Sequence, residues 1–252
     1  MMGAVTLTDP ELERYARQIV LPQVGGVGQR KLRAASIAVI GAGGLGSAVI
    51  PALAGAGVGR LNIIDSDTVE LANLHRQPLF RERDIGYPKA ELAAQFVQRL
   101  NRNVDVQPLQ LRIDNSNVHD LFAGHGFDLV IDGSDNFATR LAVSDTCVEL
   151  GVPLISAAAV QFQGQVGLFR GRPCYRCFVG NAFDADDCDN CSELGVLGAL
   201  TATVGSFSAM LAINTIVGIG PDQAGTLYLF NGETLGWRAI GLPADPACLA
   251  CS

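Results

Sequence analysis

The stretch Ser36-Ile37-Ala38-Val39-Ile40-Gly41-Ala42-Gly43-Gly44-Leu45-Gly46 joins an apolar β-type run to a glycine string, and the string leads into a helical pattern starting at Leu45. A G-x-G-x-x-G string carries meaning only in that setting, after a buried strand and at the start of a helix. There the glycines permit a tight turn, backbone N–H groups can approach phosphate oxygens, and the helix amino end adds partial positive charge. Asp65 ends the next strand, nineteen residues past Gly46, where a carboxylate can accept hydrogen bonds from ribose hydroxyls. The pattern points to a nucleotide site with Gly41, Gly43, Gly44 and Asp65 as candidates, and leaves the nucleotide open.

Outward from that turn, strands and helices alternate. Strands are predicted at Ser36–Ile40, Leu61–Ile64, Val104–Leu109, Leu129–Ile131 and Pro153–Ser156, and helices from Leu45, over Lys89–Leu100, near Asn117–Phe122 and over Phe137–Leu150. Alternation with short connections implies a mostly parallel sheet with helices on both faces. Beyond about residue 160 the texture changes: Gln165–Phe169, Leu227–Phe230 and Trp237–Ile240 read as strands near hairpin turns, around a long apolar helix and a polar loop from Gly180 to Ser192. The expected fold is α/β: a Rossmann-like, doubly wound, mostly parallel sheet with antiparallel C-terminal strands. Upstream, Asp9-Pro10-Glu11 reads as an N-cap, a Pro at the first helical position and an acidic first turn, opening a helix that carries Arg14 and Arg17. A second helix is predicted over Val27–Arg33.

Composition narrows the function classes. At 252 residues, 48% hydrophobic and 17% charged, the chain has ample material for a core. A net charge of −7 argues against non-specific nucleic-acid or anionic-membrane binding, which depends on clustered Lys and Arg. Two uncharged runs, 34–59 and 194–221, are long enough to cross a bilayer. The first is broken by seven glycines and Pro51, and Leu200–Val217 mixes Thr, Ser and Asn among its apolar residues, so buried elements are expected and no membrane span. The amino terminus lacks a basic segment followed by an apolar run and a cleavage site, so the expected location is cytoplasmic.

Charged residues choose between two chemistries on such a fold. An NAD-dependent oxidoreductase needs a nicotinamide face and a proton-transfer residue, whereas nucleotidyl transfer needs cations on a triphosphate and a carboxylate for Mg²⁺. The second set is present. Asn73-Leu74-His75-Arg76-Gln77 lies in a polar connection after Asp65. Lys89 starts a helix, where the dipole disfavours a cation unless an anion is bound. Asp132-Gly133-Ser134-Asp135-Asn136 follows a strand at the carboxyl end of the sheet, where open α/β folds keep ligands. Asp135 can hold the metal ion; it can also cap the helix from Phe137, and the two roles are compatible. A non-catalytic zinc-containing scaffold is the other rival.

In this order, GAGGLG (41–46), DSDTVELANLHRQ (65–77), GYPKAE (86–91), DGSDN (132–136) and CYRC (174–177) resemble the bacterial ThiF/MoeB/HesA family, related to ubiquitin-activating enzymes. The likeness runs from about Arg14 to Cys251. His75 stands where the family most often has Gln, and Gly133 where it often has Cys. The resemblance implies ATP-dependent adenylation of the C-terminal glycine of a small ubiquitin-like sulfur carrier protein ending in Gly-Gly, for thiamine, molybdopterin or related sulfur metabolism. Leu229-Phe230-Asn231-Gly232 followed by Trp237-Arg238 is similar to the thiazole branch. It implies nucleotide contacts at Gly44, Asp65, Asn73, Arg76, Lys89, Asp135 and Asn136, and catalytic duty for Arg76, Lys89 and Asp135. It further implies a homodimer in which Arg17 reaches the triphosphate of the neighbouring subunit, and a separate sulfur donor protein. One family-type domain spans 1–252, with N-terminal helices in 1–33, nucleotide binding in 34–160, and carrier and zinc binding in 161–252. A carboxylate nucleophile is already deprotonated at neutral pH, so His75, His119 and His125 need no catalytic role, and the last two are expected on the surface.

Seven cysteines resolve into Cys174-x-x-Cys177, Cys188-x-x-Cys191, Cys248-x-x-Cys251 and a lone Cys147. Two C-x-x-C pairs can close a tetrahedral zinc site, and nothing else in the chain suggests an oxidising compartment and a disulfide reading. The middle pair lies in the acidic stretch around Asp184–Asp187, so Zn²⁺ is assigned to Cys174, Cys177, Cys248 and Cys251, as in the family pattern. Cys191 matches the position where some relatives link covalently to the carrier; its acidic neighbours disfavour a thiolate. Cys188 either pairs with Cys191 or is inert, and Cys147 reads as a small core residue.

Overall fold

Ser36–Ile40 forms a strand that is buried from Ile37 onward, the composition a strand needs when both faces of its sheet are covered. The structure is a computed structural model that describes residues 6–180 and 194–252. In chain order it runs α1 (Asp9–Arg14), α2 (Ala16–Ile19), α3 (Gly25–Ala34), β1 (Ser36–Ile40), α4 (Gly46–Ala56), β2 (Arg60–Ile64), α5 (Lys89–Leu100), β3 (Asp105–Leu109) and α6 (Val118–His125). It continues with β4 (Leu129–Asp132), α7 (Phe137–Leu150), β5 (Leu154–Val160), β6 (Gln163–Phe169), α8 (Tyr175–Val179), α9 (Gly198–Val217), β7 (Thr226–Asn231) and β8 (Gly236–Gly241).

The strands make one sheet in the order β3-β2-β1-β4-β5-β6-β7-β8. The first five are parallel, with Val39 of β1 in register with both Ile63 and Ile131, and the remaining pairings are antiparallel. Alternate residues feed two cores. Ile37, Val39, Leu61, Ile63, Leu129 and Ile131 pack with Leu53, Val97 and Val204 of α4, α5 and α9, whereas Ala38, Ile40, Ile64 and Val130 pack with Phe122, Val143 and Tyr175 of α6, α7 and α8. Each fully buried Ile or Leu contributes roughly 1.5–3 kcal/mol. The order in which strands are added reverses between the parallel neighbours β1 and β4, so the crevice that such a switch opens lies at their carboxyl ends.

Several elements differ from the expectations in instructive ways. Thr8, not Asp9, precedes the first helix, and both its N–H and its hydroxyl donate to the Glu11 carboxylate at 2.9 Å. The helix meant to carry both arginines breaks at Tyr15, whose buried ring is turned toward Gly57 and whose hydroxyl accepts from Asn101 Nδ2 at 2.8 Å. Strand β5 runs on to Val160 because β6 returns antiparallel beside it through Gln161 at φ +51°. Helix α9 is long and apolar enough to cross a membrane by length and composition. It packs between α4 and strands β5 and β6, its Ser208, Thr203 and Thr215 hydroxyls donate to carbonyls one turn back, and Gly205 admits α4 so closely that a Cβ there would stand 2.6 Å from the Leu45 carbonyl oxygen.

Candidate active site

The glycine turn between β1 and α4 is held by its own geometry. Gly41 has φ +89°, and a Cβ on Gly46 would lie 2.2 Å from the Gly41 carbonyl oxygen, so neither position accepts a side chain. Among the described residues the N–H groups of Gly43, Gly44 and Leu45 have no hydrogen-bond partner, and no side chain caps α4. Unpartnered donors at a helix start form an anion cradle. Gly46→Ala is expected to destabilise the chain by about 1–3 kcal/mol through overpacking and to reduce stabilisation by ATP, read by thermal melting with and without nucleotide. An unchanged melting temperature and an unchanged response to ATP would show that the turn tolerates a Cβ.

Asp65, directly after β2, faces this turn. Its Oδ2 accepts the Ala42 N–H at 2.7 Å and its Oδ1 the Asp67 N–H at 2.8 Å, so it braces the glycine turn as well as presenting a carboxylate. Burial pushes the Asp65 carboxyl above the ordinary carboxylate range, against the pull of those two N–H groups and of the Lys89 charge. Lys89, buried at the first position of α5, donates Nζ to Asp67 Oδ2 at 2.9 Å. The anion that offsets the dipole at this helix start is therefore Asp67, an acid that sequence reasoning passed over because its partner lies 22 residues away.

The polar connection after Asp65 forms a 3₁₀ turn, Leu71–Asn73, in which Asn73 Oδ1 accepts the Glu70 N–H at 3.2 Å. Arg76 Nη1 donates to the Ala72 carbonyl at 3.0 Å and approaches His75 Nε2 at 2.9 Å, and its charge meets no acid among the described residues. The start of α9 closes on this segment: a Cβ on Gly198 would lie 2.5 Å from the His75 carbonyl oxygen, and one on Gly44 would touch Thr201 at 3.1 Å. Gln77, part of the motif but given no role from sequence, is buried beside Gly43 with its Oε1 unpartnered among the described residues. An orphaned acceptor is visible only once the fold has buried it.

At the end of β4, Asp132 Oδ1 accepts the Ser134 N–H at 2.9 Å, while Asp132 Oδ2 and Ser134 Oγ are buried without partners among the described residues. The cap of α7 is Asn136, whose Oδ1 accepts the Thr139 N–H at 2.9 Å, so Asp135 does not cap that helix. Its exposed carboxylate has no partner among the described residues. Oxygen donors of this kind suit a hard divalent cation, and the open N–H groups of the glycine turn suit phosphate, so the residues present fit a metal–triphosphate.

The structure thus gathers Gly41, Gly43, Gly44, Asp65 and Lys89 with the segment 73–77, and brings Asp132–Asn136 to the neighbouring strand end. Arg17 is not among them. It is exposed on α2, where its neighbour Gln18 donates to the Ala56 carbonyl at the far end of α4, roughly 16 Å of helix from the glycine turn. Cys188 and Cys191 lie outside the described residues. His119 is exposed beside Asp120 and Glu149, whereas His125, expected on the surface, is half-buried and stacked on Phe127.

Beyond α7 the sulfurs of Cys174, Cys177, Cys248 and Cys251 all lie within 4.8 Å of one another, with Cys174–Cys248 and Cys177–Cys251 at 3.5 Å. Zinc–sulfur bonds of about 2.3 Å need comparable sulfur spacings, so the cluster can hold a metal ion. Burial pushes the Cys174 thiol up; Cys248 is drawn down to about 7, where burial is outweighed by the Ala250 and Cys251 N–H groups and the Cys174 thiol. Arg176 between the first two cysteines makes a two-point ion pair with Asp145 of α7, at 2.6 and 2.7 Å. Cys147 is a buried core residue whose thiol is raised by burial.

Comparison with known proteins places this geometry. The ThiF family model matches residues 15–250. The chain is 42% identical over 251 residues to a sulfur carrier protein adenylyltransferase of Thermus thermophilus, covering 97% of this chain and 92% of the relative. It is 40% identical to a SAMP-activating enzyme E1 of Haloferax volcanii (98% and 91% covered), and 38% identical to a molybdopterin-synthase adenylyltransferase of Salmonella typhimurium (97% and 98%). A crystal structure of Escherichia coli MccB superposes with a TM-score of 0.81 at 24% identity, over 95% of this chain and 75% of that one, a likeness of fold.

Proposed function

Because the chain belongs to the ThiF family, we propose that it adenylates the C-terminal glycine of a small ubiquitin-like sulfur carrier protein, using ATP. The observation that carries this reading is the crevice at the ends of β1 and β4. Open N–H groups of a glycine turn stand at that end of the sheet, and Lys89, Arg76 and Asp135, the last without a partner among the described residues, lie on the connections that follow its strands. The carrier carboxylate attacks the α-phosphorus in line; a carbon-bound oxygen joins phosphorus as the bond to the bridging oxygen breaks, and pyrophosphate leaves with that electron pair. No general base is required, since the nucleophile is ionised at neutral pH. Mg²⁺ held at Asp135 would supply charge neutralisation on the phosphates. Arg76 turns from the Ala72 carbonyl toward the triphosphate, and Lys89 shares its charge between Asp67 and phosphate. Asp65 meets the ribose, and Asn73 and Asn136 shape the walls.

The same reading gives residues 34–160 to the nucleotide and 161–252 to the carrier and a structural Zn²⁺ on Cys174, Cys177, Cys248 and Cys251. Arg17, remote from the crevice of its own chain, serves that of a second copy in a homodimer. The adenylate is consumed by the persulfide of a separate donor protein, whose outer sulfur bonds to the carbonyl carbon as AMP leaves; a thiol then cleaves the acyl disulfide, taking up the donor sulfur as a disulfide and releasing the thiocarboxylate, with Cys191 as the residue that engages the carrier in this later stage.

The deciding experiment is exchange of labelled pyrophosphate into ATP, run with several Gly-Gly-ended carriers. Exchange with at least one of them is expected. Nicotinamide binding without exchange would replace this reading with an oxidoreductase, and ATP binding without exchange across the panel with a scaffold. Cys191→Ala is expected to leave exchange intact and to reduce carrier thiocarboxylate measured by mass spectrometry. A loss of exchange in that variant would put Cys191 in the adenylation step instead.

A further inference from the structure

Arg140 is a buried cation without an acid in ion-pairing reach among the described residues. It lies in the first turns of α7, 7% exposed, and all its bonds go to neutral oxygens. Nη1 donates to Ser156 Oγ at 3.0 Å, and Nη2 donates to the carbonyls of Ala157, at 2.7 Å, and of Ser134. Burying a guanidinium with no counter-ion is costly, and a neutral side chain would tie a helix to a strand at less cost. A planar fork is what this position uses: it spans two carbonyls on different segments, one on β5 and one on the connection after β4.

Ser134 directly precedes Asp135. Its N–H is held by Asp132 Oδ1 and its carbonyl by Arg140, so the backbone is gripped on both sides of that residue. Asp135 itself has no side-chain partner among the described residues, so the place of its carboxylate is set by this backbone. The far side of the grip is anchored on β5, where Ser156 stands in register with Asp132.

We infer that Arg140 is a positioning residue that holds the 133–136 connection so that the Asp135 carboxylate faces the crevice in a metal-binding pose. The inference rests on the adenylation reading for the identity of the metal, and on the hydrogen bonds alone for the grip. It is tested on the full chain with Arg140→Gln and Arg140→Lys. In the glutamine variant the Mg²⁺ concentration giving half-maximal carrier-dependent exchange is expected to rise roughly ten- to hundredfold, as when a partner orienting a metal ligand is lost. The carrier concentration giving half-maximal rate is expected to stay where it was. Lysine, which keeps the charge and loses the fork, is expected to recover part of the Mg²⁺ response.

An arm independent of activity is hydrogen–deuterium exchange in the absence of nucleotide and metal. Amides of the 133–136 segment are expected to exchange faster in Arg140→Gln. Should that variant fail to fold, Ser156→Ala removes one acceptor of three and is expected to move both readouts the same way by a smaller factor. Unchanged Mg²⁺ demand together with unchanged amide exchange in a folded variant would overturn the inference. A wild-type chain inactive with every carrier would sink the adenylation reading alone, since amide exchange would still decide whether Arg140 grips the segment.

Discussion

Arg76→Ala and Asp135→Ala are each expected to lower carrier-dependent pyrophosphate exchange by roughly a hundred- to a thousandfold, with thermal stability and zinc content unchanged. The size follows from removing a charged group aimed at phosphate in a site where little else can replace it. The unchanged stability follows from the resting structure. Among the described residues the Arg76 side chain is bonded only to the carbonyl of its own turn and to His75, so alanine strands no buried partner there. Asp135 is exposed and bonds to nothing described, and the cap of α7 belongs to Asn136, so its loss leaves the helix end satisfied. The two variants thus separate chemistry from folding. Full exchange in either, measured at saturating ATP and carrier, would remove the proposed crevice as the site of reaction.

If the four-cysteine cluster holds the proposed structural zinc, removing that metal is the second large effect. Chelation under native conditions, or Cys174→Ser, is expected to lower the melting temperature by about 10 °C or more, because each kcal/mol lost shifts a domain of this size by roughly 2–4 °C and a structural zinc contributes several kcal/mol. Cys174 and Cys248 are fully buried, and without an ion only weak thiol contacts join their sulfurs. Amide exchange should rise first around 174–179 and 245–252, where the cluster joins α8 to the chain end, and remain low in β1 and β4. Metal analysis of the purified chain accompanies the melt. A metal-free chain with an unchanged melting temperature would reduce the cluster to four reduced thiols.

The parallel half of the sheet was legible because its strands are short apolar runs bounded by polar or glycine turns. Lys89–Leu100 and Phe137–Leu150 are legible to the residue because Pro88 and the Asp135-Asn136 pair precede their starts and Asn101 and Gly151 follow their ends. The glycine turn and Asp65 were legible for the same reason, being one βαβ unit with local rules. The relations across the fold were not. Asp67 opposite Lys89, the grip of Arg140 on Ser134, and the orphaned Gln77 depend on contacts between distant segments, to which no local period points. The choice of Asn136 over Asp135 as cap turns on one φ/ψ step between two adjacent residues that cap equally well in principle. Tyr15 broke an otherwise continuous helix because its ring has a tertiary berth against Gly57, and burial outweighs the few tenths of a kcal/mol that propensity offers.

That berth bears on Arg17. Tyr15 is locked by Asn101, which also donates to the Ala54 carbonyl, and Gln18 is fastened to Gln29 and Ala56, so the short segment between them cannot swing. A guanidinium delivered from such a rigid bracket arrives with its direction already chosen. On the dimeric reading, two copies that dock correctly would complete each other's crevices without ordering a floppy arm, and a misaligned pair would leave both incomplete.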